Sequence, residues 1–309
     1  MVTEFPKRTD GRYKVEAYGA STLVPITAVL DSTRKGVAQI GLTSANQFAK
    51  DFPLTLISQM PTYGWAGFSP TGMETPEILD VANEAFLEFQ KIPEVAAEYK
   101  DFVFLSNIVL NESNIVMKSK PVRVPADFRG VKFGATGPTA EIVKANGGAA
   151  VALVTPEVYM NMDKGVIEGA VLSMTMVTDW KIQTIANWFL MIGTGNGNML
   201  SLMNQEFWNK MPKADQDLLY KTWWDGMKEN SKFMANSAIV SRDIMVKDGK
   251  TMTIPTAAEK AAWGKGVEPA YRGMRDDAVS VGIDSKTFDK VAEAWLAIRD
   301  KYAAKYNLK

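Results

Sequence analysis

The stretch from Val122 to Ser173, VRVPADFRGVKFGATGPTAEIVKANGGAAVALVTPEVYMNMDKGVIEGAVLS, admits few folds. Gly130 breaks the chain ahead of a short β-type run, Val131-Lys132-Phe133, and Gly134 to Pro138 makes a glycine-bearing turn into a helical segment, Thr139 to Lys144. Gly147-Gly148 stops that helix, and Ala149 to Val154 returns as an apolar strand. Thr155-Pro156-Glu157 starts the next helix with threonine at the N-cap and proline in its first turn, Gly165 ends it, and Gly169 to Leu172 is another buried strand run. The unit reads βαβαβ. Crossovers of that length hold helices, so its strands are expected to be parallel. Ligands of such sheets sit outside the carboxyl ends of the strands, which makes Gly134–Pro138 and Ser173–Asp179 the candidate site loops.

At 309 residues the chain exceeds the usual span of one core, and two α/β lobes are expected. Lys and Arg together number 35 and balance 35 Asp and Glu, so there is no basic footprint for nucleic acid or anionic membrane. The chain has no Cys and no His, which removes disulfides, Cys/His zinc sites and any Ser-His or Cys-His relay. No catalytic group, metal site or cofactor motif is expected; Gly193-Thr-Gly-Asn-Gly-Asn198 meets neither phosphate-binding glycine pattern. No apolar run is long enough for a transmembrane helix, and no export signal opens the chain.

Met1–Arg8 reads as the tail of a helix closing on Thr9-Asp10-Gly11, and Tyr13–Tyr18 alternates as a half-buried strand does. Pro25–Lys35 reads as a helix and Ala38–Leu42 as a strand; Ser44 and Asn46 behind it fit ligand contact or helix capping equally well. Leu54–Met60 reads as a further strand, leading to Tyr63 and Trp65 in a glycine-spaced aromatic loop. Thr75-Pro76-Glu77 opens a helix that buries Ile78, Leu79, Ala82, Ala85, Phe86 and Phe89. Phe102–Leu110 and Ile115–Met117 read as two strands joined by Asn111–Asn114, the first hinge candidate. Trp188–Ile192 and Leu200–Met203 are further strands. A long helix runs from Pro212 to about Val246, followed by a short strand at Thr251–Ile254, a capping box at Thr256–Glu259 and two terminal helices, the last striped by Phe288, Val291, Trp295, Ile298 and Tyr302.

Ordered motifs along this frame resemble one family. Arg123, Pro125, Asp127, Gly130 and Lys132, then Gly148-Ala149, Pro156-Glu-Val-Tyr159 and Gly165-Val-Ile-Glu-Gly169, are similar in kind and spacing to the DctP-like solute-binding proteins of tripartite ATP-independent periplasmic (TRAP) transporters. Gly11–Glu16 and Asn204–Pro212 extend the resemblance over nearly the whole chain. It implies a two-lobed periplasmic-binding-protein-like fold, each lobe a mostly parallel sheet flanked by helices, with a long bracing helix. Residues 1–118 and 204–250 are expected in lobe 1, and 119–203 and 251–309 in lobe 2. It further implies a periplasmic, monomeric receptor that passes a small organic molecule to membrane permease subunits. A signal peptide, a first strand and most of the first helix are expected upstream of Met1, so the N-terminus reads as truncated. A ligand sensor coupled to a signalling partner would look alike in this chain, and an enzyme on the same fold is the remaining alternative.

In the resembled family an arginine two residues beyond the lysine matching Lys132 clamps the ligand's carboxylate, and a second cation stands on the preceding strand. Here those positions carry Gly134 and Asn114. A simple dicarboxylate therefore loses its clamp, and a ring-bearing or amine ligand is expected instead. The residues expected around it are Tyr63, Trp65, Asn114, Gly134, Thr136, Ser173, Met174, Trp180, Asn196 and Asn198, with Trp65 and Trp180 as walls. Asp179 reads either as a countercharge or as an acid at a helix start, and Lys132 as a solvated strand-end charge.

Overall fold

The computed structural model describes residues 1–309 except 20, 61–63, 66–67, 69–72, 154, 266 and 309. Eight strands, β1 Ile40–Ser44, β2 Phe102–Met117, β3 Lys132–Gly134, β4 Ala149–Val151, β5 Gly169–Ser173, β6 Trp188–Leu190, β7 Asn196–Asn204 and β8 Thr251–Thr253, form one curled sheet. Its main path runs β1-β7-β2-β5-β3-β4, and β6 joins β2 to β8. The helices are α1 Glu4–Arg8, α2 Val29–Arg34, α3 Pro76–Phe89, α4 Pro93–Ala96, α5 Pro138–Ala145, α6 Thr155–Asp163, α7 Met174–Asp179, α8 Gln205–Lys210, α9 Lys213–Lys247, α10 Ala257–Lys265, α11 Val267–Ser280 and α12 Ser285–Lys305.

The βαβαβ unit stands as expected, with β3 parallel to both β4 and β5. Gly147 and Gly165 carry φ of +81° and +72°, which explains glycine at both helix stops. Parallel pairing stops there and at β6–β8. The β1-β7-β2 part is antiparallel throughout, where mostly parallel strands are expected from the resemblance.

β2 is the organising element. It is one strand of 16 residues, not two strands joined by a loop. Its first part pairs with β7, and Ser113–Met117 pairs with β5 and, from Ile115, with β6. Asn111–Asn114 resembles a turn in composition, but strands on both sides supply backbone partners and only a register shift between Val109 and Glu112 marks the spot. Two other expected strands do not form. Thr55–Gln59 is a 3-10 helix, its first amides held by the Glu98 carboxylate, which accepts from Leu54 N and Thr55 N. Tyr13–Tyr18 carries no ladder among the described residues; Tyr13 is instead tied by its hydroxyl to Asp215.

The core divides along β2. One cluster joins α3, the Thr55–Gln59 helix and the buried face of β1-β7-β2 through Phe86, Phe89, Phe104 and Leu202. Two others lie around β3–β6 with α5, α6 and α7. The 35-residue α9 spans several of them, with Leu219, Ala235 and Ala238 in three different clusters, as a bracing helix should. The 251–309 span is divided. Trp263 and Ala270 pack on the Phe128–Phe133 side, whereas Phe288, Val291, Trp295 and Ile298 of α12 pack with α3, because their apolar stripe completes that cluster and not the one expected for lobe 2.

Candidate functional site

The register shift in β2 brings a buried polar knot together. Glu112 is 4% exposed; its Oε1 accepts from Trp65 N at 3.1 Å and its Oε2 from Gly195 N at 2.6 Å. Glu74, 3% exposed just before the Thr75 cap of α3, accepts from Glu112 N at 2.8 Å and from Asn196 Nδ2. Asn196 Oδ1 accepts Trp65 N, and its Nδ2 also donates to Leu110 O. Gly195 makes this approach possible: it has φ of +118°, and a Cβ there would overlap the Gln59 carbonyl. Burial first, and the neighbouring Glu112 second, push the Glu74 carboxyl up to about 8.

Several expected site residues belong to this knot, but in a structural capacity. Asn114 spends both ends on backbone, donating to Glu112 O and accepting from Gly193 N. Trp65 is 1% exposed, with its ring against Phe68 and edge-on to Trp295, so it packs in the core and is not a free wall. Tyr63 lies outside the described residues. Asn198 donates to Ser58 Oγ on the same sheet face. Glu74 and Glu112 were missed in the sequence, where one looks like part of a helix cap and the other like part of a turn.

The second group stands at the carboxyl ends of β3 and β5. Gly134 is buried, and a Cβ there would lie 3.2 Å from Ile167 Cδ1. Thr136 is exposed and closes a local turn with Thr139. Ser173 caps α7 by accepting from Met176 N, and Met174 is core. Trp180 is 44% exposed at the end of α7, beside an exposed Asp179. Lys132 is exposed, as its solvated reading has it, and Arg123 pairs through two nitrogens with Glu259 at the start of α10, which makes the Arg-x-Pro-x-Asp turn structural. Asp127 accepts from the backbone N–H of Arg123 and Val124 in the same turn.

The Gly134–Pro138 loop reaches the end of β1, where a Cβ on Gly137 would meet Asn46 Oδ1 at 2.7 Å. Ser44 gives no side-chain cap to the 3-10 turn behind β1. A surface depression of about 540 Å³ lined by Ser119, Lys120, Gly130–Lys132, Gly165, Val166 and Glu168 lies at the opposite, N-terminal ends of β3 and β5. Among the described residues, the acidic and basic side chains buried in the interior are Glu74, Glu112 and Asp215, all three of them acids. No group of metal-ligating side chains is found there either, and no helix is long and apolar enough to cross a membrane.

Comparison with known proteins gives the fold its relatives. A solute-binding protein of Albidiferax ferrireducens is 26% identical over 231 residues, 71% of this chain and 62% of that relative, so the match spans less than two thirds of its length. Among solved structures, a TRAP periplasmic solute-binding protein from Desulfovibrio salexigens superposes with a TM-score of 0.80 at 23% identity, covering 100% of this chain and 90% of its own. A marine-metagenome TRAP solute-binding protein specific for aromatic acids, bound to 3-hydroxybenzoate, gives 0.82 at 20% identity, covering 97% of this chain and 91% of its own. The model of bacterial extracellular solute-binding proteins, family 7, matches residues 1–277, and the chain therefore belongs to that family, the DctP family.

Proposed function

We propose that this chain is the extracytoplasmic receptor of a TRAP-type secondary transporter, holding a small organic molecule in a cleft and delivering it to permease subunits as a monomer. The observation that carries this reading, beside family membership, is the approach of the Gly134–Pro138 loop to Asn46 at the end of β1 across the β2 division. In this reading residues 1–118 and 204–250, joined by α12, make one lobe, and 119–203 with α10 and much of α11 make the other. The absence of His and Cys leaves an enzyme on this fold without a nucleophile–base pair of the usual kinds.

The ligand proposed is ring-bearing or amine-bearing and not a simple dicarboxylate. Gly134 and Asn114 offer no cation, and an unpaired carboxylate in a closed site bears a desolvation cost of several kcal/mol. The 3-hydroxybenzoate held by the marine relative supports room for a ring on this fold. Thermal-shift screening against dicarboxylates, aromatic acids, amines and neutral heterocycles, followed by isothermal titration, tests the proposal. Tight succinate or malate binding would refute the ligand class, and silence across the whole panel would refute the receptor reading.

A further inference from the structure

In and beside the β1-β7-β2 sheet, three amide side chains are buried without hydrogen bonds. Gln59, Asn107 and Asn111 are 3%, 1% and 3% exposed, and neither the nitrogen nor the oxygen of any of the three amides has a partner. Their placement is linked. Asn107 shares a sheet face with Val109 and its register partner Asn198 on β7, and Asn111 lies in the register shift that follows, between Val109 and Glu112. Asn198 is held by Ser58, the residue before Gln59, and the Gln59 carbonyl abuts Gly195 beside the β2 register shift. Thr43, opposite Leu200 as Asn107 is from the other side, adds a fully buried hydroxyl, also without a partner, to the same face. Buried polar side chains are ordinarily paired, and a concentration of unpaired amides needs an explanation in function.

The chemistry of the three amides names their complement. Each presents two N–H donors and one carbonyl acceptor, so a group that both donates and accepts satisfies them, whereas a carboxylate can only accept. The nearby carboxyl oxygens of Glu112 already hold Trp65 N and Gly195 N, and they make the surroundings unfavourable for an anion. Asn107 and Asn111 are four residues apart with the register shift between them, so no more than about 13 Å separates their backbones. Resting on the receptor reading above, we infer that Gln59, Asn107 and Asn111 form the subsite for uncharged donor–acceptor groups of the ligand, such as carboxamides, lactams or ring hydroxyls.

Isothermal titration of the full chain with matched pairs, benzamide and benzoate, nicotinamide and nicotinate, succinamide and succinate, tests this. The amide should bind at least about tenfold tighter than its carboxylate in each pair that binds, a difference near 1.4 kcal/mol. Asn107→Leu and Gln59→Met should lower amide affinity by about tenfold or more. The same changes should raise the ligand-free melting temperature by roughly 2 °C or more, because a buried amide without partners is replaced by an apolar side chain of similar size. Tighter carboxylate binding in the unaltered chain overturns the subsite and leaves the receptor intact. So does carboxylate or amide binding indifferent to both substitutions, or melting temperatures that fall in both variants. If no member of any pair binds, and no amine or heterocycle of the wider panel does, the receptor reading falls and the subsite with it.

Discussion

Glu74→Gln should flatten the dependence of stability on pH. Glu74 is 3% exposed and its carboxyl is pushed up to about 8 in the folded chain, first by burial and then by Glu112. In the unfolded chain it returns to an ordinary value near 4.5. Between these values the folded state holds a proton that the unfolded state has released, so stability is fully present below the unfolded value and is lost as pH rises toward the folded one. Each unit of separation is about 1.4 kcal/mol, and for a shift from 4.5 to about 8 the loss between pH 5 and pH 8 comes to roughly 3 kcal/mol. Glu98, raised to about 7 by burial, adds a loss of the same sign and is untouched by the substitution. Glutamine keeps a carbonyl oxygen for Glu112 N and Asn196 Nδ2 and cannot ionise. Urea unfolding followed by circular dichroism at half-unit steps from pH 5 to pH 8 should show the two proteins close at pH 5, and the variant more stable at pH 8 by a few kcal/mol. Parallel curves would show that Glu74 does not titrate in this range and would refute the account of the knot. A variant weaker by the same amount at every pH would mean that the amide cannot replace the protonated acid in its hydrogen bonds.

Trp65→Ala should cost about 3–5 kcal/mol of stability by chemical denaturation, as emptying a buried aromatic site does, whereas Trp180→Ala at 44% exposure should cost no more than about 0.5 kcal/mol. Gly195→Ala should leave little folded protein by circular dichroism, because its Cβ would overlap the Gln59 carbonyl at a φ of +118°. Gly134→Arg should shift preference toward carboxylates by about tenfold or more in isothermal titration, with Ile167, 3.2 Å from the new Cβ, giving way; an unchanged ratio would take that loop out of the site.

How much of this was legible follows from where each backbone finds its partners. The βαβαβ unit carries its own punctuation: Gly147 and Gly165 sit at positive φ, and the helices between them are local. β2 could not be read as one strand, because its continuity depends on β7, β5 and β6, which come 50 residues or more later, while Asn-Glu-Ser-Asn has the composition of a turn. Leu54–Met60 failed for a related reason. A short apolar run has no distinguishing period, and the distant Glu98 carboxylate favours the 3-10 form by receiving its first amides. At the site, Asn114 and Asn196 are largely spent on holding backbone, and Asn198 on Ser58. Gln59 and Asn107, whose amides are unspent, carry no signal in sequence, since a lone amide in an apolar run looks like any other polar interruption.

The position of the knot also bears on how the two halves can move. Two strand connections pass from one part of the sheet to the other close together: β2 at its register shift near Val109–Glu112, and the chain leaving β6 for β7 through Gly193–Asn196. Glu112 joins them directly, since its Oε2 takes Gly195 N while Ser113 N donates to Gly195 O. Glu74 ties both to the start of α3. A rotation of one half against the other must therefore bend these two segments together, around a buried carboxyl, and a hinge of that kind bends about strands instead of swinging on a tether. The unpartnered amides of Gln59, Asn107 and Asn111 lie within a few residues of that point. A ligand that satisfied them would sit beside the two segments that such a rotation bends.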